Sequence, residues 1–172
     1  SAARLRRGET AMLKTAFRRC HNYVHGNEGL PKDAAFWQFL YVIFAKVYDE
    51  RQCQRLHRSP RFFALPQEPF NSDGQHAIQQ RILELFAEVK REYPLFTVRD
   101  EITLSPRALA FIVGELASYD LAGTDIDAKT AASMIPGVDT AQVSVAMRAL
   151  ETHGRLRRAN ERVVEFQGRV PL

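Results

Sequence analysis

The sequence is poor in cysteine and in unbroken apolar stretches, and each scarcity removes a class of protein. Two cysteines in 172 residues, Cys20 and Cys53, cannot build a disulfide scaffold and form no Cys-x-x-Cys metal pair. They read as free, partly buried thiols. No apolar run approaches the ~18–20 residues of a membrane span, so no membrane partner is expected. Gly-x-Ser-x-Gly elbows, Walker-type phosphate loops and Cys/His pairs at hydrolase spacing are all missing. There is no internal repeat and no low-complexity tract. Arg4, Arg6 and Arg7 lead into an amphipathic stretch rather than an apolar one, so no signal peptide is expected and the cytoplasm is the expected compartment.

What is present is globular in composition. Hydrophobic residues make up 45% of the chain and there are 11 Phe, enough to exclude a wholly disordered polypeptide. The length fits one domain or two small ones. The net charge of +4 is unevenly spread. Residues 1–60 carry 11 Lys/Arg against 5 Asp/Glu, residues 61–128 carry 6 against 11, and residues 129–172 carry 7 against 4. Two basic ends flank an acidic middle. Basic segments favour polyanions through counterion release, which makes nucleic acid the first partner to consider.

Periodicity predicts four helices in the first two thirds of the chain. Leu13, Ala16, Phe17, Cys20 and Val24 recur at helical spacing, with Lys14, Arg18 and Arg19 on other faces. The glycines of His25-Gly26-Asn27-Glu28-Gly29 are expected to stop this helix. Asp33 is then expected to cap a second helix running to about Glu50. That helix has two apolar stripes, Phe36, Leu40, Ile43 and Val47 on one and Trp37, Tyr41, Phe44 and Tyr48 on the other, so it should be packed from both sides. Residues 51–73, with Pro60, Pro66 and Pro69, read as a long loop pinned by Phe62 and Phe63. A third helix runs to about Tyr93 and buries Ile78, Ile82, Leu85, Phe86 and Val89. Ser105-Pro106 marks the start of a fourth, with Leu109, Ile112, Val113 and Leu116 on its apolar face.

Beyond Gly123 the pattern changes. Asp127 can cap a short helix from Ala128 to Ile135, Pro136-Gly137 makes a turn, and Asp139 can cap a second helix from Thr140 to about His153. Arg155–Arg158 and Arg162–Phe166 follow as strand-like segments around Ala159-Asn160. This order resembles a winged helix-turn-helix. Its second helix would place Thr140, Gln142, Ser144 and Arg148 against base edges, since Gln pairs bidentately with adenine and Arg with guanine. Arg157, Arg158 and Arg162 in the hairpin would contact the DNA backbone or minor groove. The other use of such a unit is docking to protein, in which case those arginines are solvated surface charge.

The segments FRRCHNYVHGNEG, AFWQFLYVIFAKVYDE and LSPRALAFIVGELASYDLAGTDIDAK, in that order, resemble the helical N-terminal domain of type I restriction-modification N6-adenine DNA methyltransferases. The resemblance covers residues ~11–129. It implies a helical domain that helps clamp DNA and contacts a specificity or catalytic methyltransferase subunit. In that family the stretch after Asp-Ile-Asp-Ala-Lys leads into the catalytic domain, whereas here it leads into the winged-helix pattern. The Asn-Pro-Pro-Phe/Tyr motif that would hold a flipped adenine is absent, as is the glycine-rich loop for S-adenosylmethionine. No methyl transfer and no cofactor are therefore expected on this chain.

Other constellations weigh less. His21 and His25, with Cys20 and Glu28 nearby, could ligate a metal, but the expected helix break at His25 and the lack of a third ligand at fixed spacing argue for none. Hydrogen bonds that organise the loop, or contact with phosphate, suit His21, Asn22, His25 and Asn27 better. Asp49-Glu50, expected at a helix end, is an unlikely acid/base pair, and no catalytic residue is assigned. The reading is a mainly α protein, with a four-helix domain (1–122) and a winged helix-turn-helix with a small β-hairpin (123–172). It is expected to bind double-stranded DNA through Lys14, Arg18 and Arg19 and through the C-terminal residues named above. The rival is a protein-docking module that uses the apolar loop at Phe62 and Phe63.

Overall fold

The computed structural model describes residues 10–93 and 96–121, and within them the protein is helical. Four α-helices are present among the described residues: α1 (Thr10–Asn27), α2 (Lys32–Leu56), α3 (Ser72–Glu92) and α4 (Pro106–Leu116), with a 3-10 turn at Glu68–Phe70. Both α1 and α3 pack on α2, and α4 packs on α1 and α3. The winged-helix pattern, the hairpin and the domain boundary at 122/123 lie outside the described residues.

The three amphipathic helices bury the faces that periodicity assigns to them. Leu13, Ala16, Phe17, Cys20 and Val24 of α1 are buried, as are Ile78, Ile82, Leu85, Phe86 and Val89 of α3 and Leu109, Ile112, Val113 and Leu116 of α4. The start of α4 is the expected one. The Ser105 hydroxyl accepts from the Ala108 amide, and Pro106 occupies the first turn. The Glu28 carboxylate, at the far end of α1, accepts from both the Ser105 amide (2.8 Å) and its hydroxyl (2.6 Å). A negative charge is thereby set at the positive end of α4.

α2 departs from expectation at both ends. It begins at Lys32 after Pro31, which has no side-chain acceptor to offer, so Asp33 is a first-turn residue and not the cap. It also runs past Glu50 to Leu56, because Arg51–Arg55 contains neither proline nor glycine and its residues are compatible with a helix. Its end is made by His57, which adopts the left-handed conformation (φ 51°, ψ 48°). The amides of His57 and Arg58 both turn back to the Cys53 carbonyl. α1 likewise continues through Gly26 to Asn27. The reversal belongs to Gly29, whose φ of +64° suits a residue without a Cβ.

Every residue from Phe39 to Glu50 is buried, so the helix with two apolar stripes is enclosed on all sides. An aromatic joint locks one side: Phe96 packs on Tyr41, Phe44 and Phe86 with ring centroids 5.2–5.9 Å apart. There Gln38 donates to the Glu101 carbonyl and accepts from the Thr103 amide, and the Tyr41 hydroxyl donates to Asp100 (2.8 Å). The opposite side of α2 is polar. Lys46, only 2% exposed, pairs with Glu50 at 2.9 Å and lies over the Phe62 ring (5.0 Å).

Breaking that pair from one side strands a buried carboxylate. Lys46→Met is expected to cost about 3 kcal/mol, whereas Lys46→Met/Glu50→Gln recovers most of the loss; urea denaturation of the three proteins checks both statements.

Candidate nucleic-acid interface

Of the expected DNA contacts, Lys14, Arg18 and Arg19 lie within the described residues, and all three are exposed on α1. Thr140, Gln142, Ser144, Arg148, Arg157, Arg158 and Arg162 lie outside them. Lys14 and Arg18 are one helical turn apart, with Cα atoms separated by about 6 Å. Asn22 and His25, also exposed, continue the same stripe toward the C-terminal end of α1. This face points away from Leu13, Phe17, Cys20 and Val24, so its polarity faces solvent. Arg19 differs from its neighbours. It reaches Glu115 of α4 at 3.5 Å while remaining 63% exposed, an arrangement that contributes little stability and lowers the positive charge it can offer.

The stripe ends at the corner between α1 and α2. His25 Nδ1 lies 2.8 Å from the Leu30 carbonyl, and Asn27 donates to the Tyr23 carbonyl (2.9 Å). These bonds organise the turn, as expected of these polar residues. Contrary to expectation, His25 lies inside the helix, and its ring stacks on that of His21 with centroids 6.5 Å apart. His21 is buried, and its Nε2 has no hydrogen-bond partner among the described residues. Burial is the main reason its pKa is lowered from 6.5; a contact with the Lys32 backbone opposes the shift, and His25 and Lys32 add to it. No group of three His, Cys, Asp or Glu able to hold a metal ion occurs among the described residues.

A second polar assembly, which periodicity missed, stands under the loop that follows α2. Asp49, which lies within the helix and not at its end, accepts from the Arg61 and Phe62 amides (both 2.9 Å). Arg61 grips Glu88 of α3 with two bonds of 2.6 and 2.8 Å, and the Tyr48 hydroxyl donates to Glu88 and Glu92. Further along, Arg81 holds Glu68 and the Phe63 carbonyl while its guanidinium covers the Phe63 ring (4.0 Å). Phe62 is in the core at 3% exposure, so this loop is pinned as expected and does not present Phe62 to a partner. The one signal in the sequence was charge within an apolar run, at Lys46, Asp49 and Glu50.

The chemistry of this assembly is structural. The Arg61 guanidinium holds the Glu88 carboxyl down at about 2, the state of a satisfied anion and not of a general base. Burial pushes the Cys20 thiol far up, and burial followed by Asp49 raises Cys53, so neither is a ready nucleophile. Among the described residues no helix is long and apolar enough to cross a membrane. Compared with protein-family models, curated proteins and solved structures, the chain matches none.

Two pH windows follow from these groups. His21 must take up a proton less readily when folded than when unfolded, so its contribution is complete above pH 6.5 and is lost as the pH falls below that value. Glu88 acts lower, contributing above 4.5 and losing that contribution as the pH falls toward about 2. Denaturant titrations at stepped pH should show His21→Leu flattening only the upper window and Arg61→Gln only the lower.

Proposed function

We propose that this chain is the DNA-binding and complex-assembly portion of a restriction-modification or phage-defence N6-adenine DNA methyltransferase, with no methyl transfer of its own. The observation that carries the DNA part is the outward stripe of α1, where Lys14 and Arg18 stand on one exposed face at one-turn spacing, followed by Asn22 and His25. Cations so placed can meet successive phosphates of a backbone without reading bases. The basic first third of the sequence and the resemblance of residues ~11–129 to the methyltransferase N-terminal domain support the same reading. Sequence discrimination falls to the winged-helix residues, with Gln142 and Arg148 as the base readers and Arg157 and Arg158 on phosphate. A specificity or catalytic methyltransferase subunit is the protein partner this reading implies.

The alternative, a docking module that bridges such a complex without touching DNA, draws on the loop after α2. There Phe70 is 86% exposed and Leu65 is exposed as well. Apolar side chains held in the open suit a protein surface better than a polyanion.

Anisotropy of a labelled duplex across a salt series separates the two. The wild-type chain is expected to bind with micromolar or tighter affinity at low salt. In Lys14→Ala/Arg18→Ala the slope of log affinity on log salt should become shallower by about 2, at about 0.9 per lost phosphate contact. The change Arg148→Ala/Arg157→Ala/Arg158→Ala is expected to abolish binding. A wild-type chain that ignores duplex DNA at low salt removes the DNA reading and leaves docking.

A further inference from the structure

We propose that the end of α2, where Arg51, Arg55, His57 and Arg58 gather beyond the enclosed part of the helix, is a second contact for the phosphodiester backbone of duplex DNA. The inference rests on the DNA reading above and gives it a surface that α1 does not contain.

The sequence sets the charge. From Arg51 to Arg61 the chain reads Arg-Gln-Cys-Gln-Arg-Leu-His-Arg-Ser-Pro-Arg, with four arginines, one histidine and no carboxylate. Arg51 and Arg55 are one helical turn apart and so share a face of α2. A single cation in the last turn already complements the helix dipole. Here the basic run continues past the last helical residue to His57 and Arg58.

The fold keeps these groups together. Continuous enclosure of α2 ends at Glu50; beyond it Arg55, His57 and Arg58 are exposed and Arg51 is partly so. The amides of His57 and Arg58 both return to the Cys53 carbonyl, which folds Arg58 back onto the last turn. His57 stands in the left-handed region (φ 51°), the one non-glycine residue so placed among the described residues. Glycine adopts that conformation at no steric cost, whereas a residue with a Cβ does not. The turn thus holds a basic side chain at the position where its backbone favours none.

What these cations meet inside the fold sets them apart from Arg61 and Arg81, which are committed to Glu88 and Glu68. Arg51 and Arg58 form no ion pair and no side-chain hydrogen bond among the described residues. Arg55 donates to Gln52 (3.0 Å) and adds its charge to theirs. Arg58 is near enough to Glu88 to favour its anion, yet the Glu88 oxygens already accept from Arg61 and Tyr48. Asp49 is buried and accepts from backbone amides. Guanidinium groups left open in this way match phosphate oxygens and do so on any base sequence. The same end of the bundle carries the start of the α1 stripe. α1 and α2 are joined through residues 28–31 and Phe17 meets Phe39 at 5.5 Å, so the two helices run antiparallel and Lys14 lies toward the end of α2.

Anisotropy of a labelled duplex across a salt series, with the full chain, tests the assignment. Arg51→Ala/Arg58→Ala should make the slope of log affinity on log salt shallower by about 2, at about 0.9 per phosphate contact, and equally so on duplexes of unrelated sequence. Arg51→Lys/Arg58→Lys keeps the charge and should keep the slope. Arg99→Ala/Arg107→Ala removes two exposed charges elsewhere and should leave the slope unchanged. His57→Gly should leave the urea midpoint no lower while weakening the duplex roughly threefold. A wild-type slope in Arg51→Ala/Arg58→Ala, or an equal change in Arg99→Ala/Arg107→Ala, overturns the proposal and leaves the DNA reading standing. A wild-type chain that ignores duplex at low salt removes that reading and this contact with it. Poly-glutamate that displaces the duplex as well as unlabelled duplex does, at equal charge, overturns the phosphodiester assignment in favour of an acidic protein.

Discussion

The burial of α2 on all sides is the constraint from which the rest of this fold follows. A helix enclosed from Phe39 to Glu50 needs a neighbour for every face, and the chain supplies them from four directions. α1 and α3 cover the two apolar stripes, the crossing segment around Phe96–Thr103 closes over Gln38 and Tyr41, and the loop through Phe62 covers the polar side. Because Lys46, Asp49 and Glu50 lie on that helix, three charges are carried into the interior. Their desolvation is offset only if each finds a partner at short range.

That requirement explains why the loop after α2 is ordered in spite of its prolines. Asp49 takes two consecutive backbone amides, at Arg61 and Phe62, which are the donors a loop otherwise leaves to water. Glu50 takes the Leu121 amide in addition to Lys46, so the same turn of α2 also anchors the segment that follows α4. Arg61 then ties the loop to Glu88 on α3. With these carboxylates engaged by structural donors, the chemically conspicuous part of the molecule is a scaffold. On α1, Lys14, Arg18, Asn22 and His25 keep an outward orientation.

The α1 surface was legible in part from the sequence alone. Lys14 and Arg18 fall opposite Leu13, Phe17 and Cys20 by helical phase, and they are exposed where that phase puts them. Arg19 obeys the same rule yet meets Glu115, 96 residues away, a contact no local pattern contains. His25 was misjudged because glycine weakens a helix without forbidding it. Gly26 is carried within α1, and the turn falls to Gly29 instead. Asp33 was misjudged for a related reason: a capping residue is a preference, and Pro31 set the helix start first.

By itself the sequence determined the faces of α1, α3 and α4, the Ser105 cap and the central place of α2, because each depends on spacings within a few residues of one another. Tertiary structure decided the fate of the charges on α2, the order of the loop beyond it and the anchoring of the start of α4. Those outcomes rest on partners far along the chain: Glu28 with Ser105 at 77 residues, Glu50 with Leu121 at 71, and Arg61 with Glu88 at 27. An apolar run that contains Lys46 reads the same whether the lysine is solvated or enclosed. Only the arrival of Glu50, Phe62 and the surrounding elements makes burial of that charge affordable, and such encounters are a property of the folded chain.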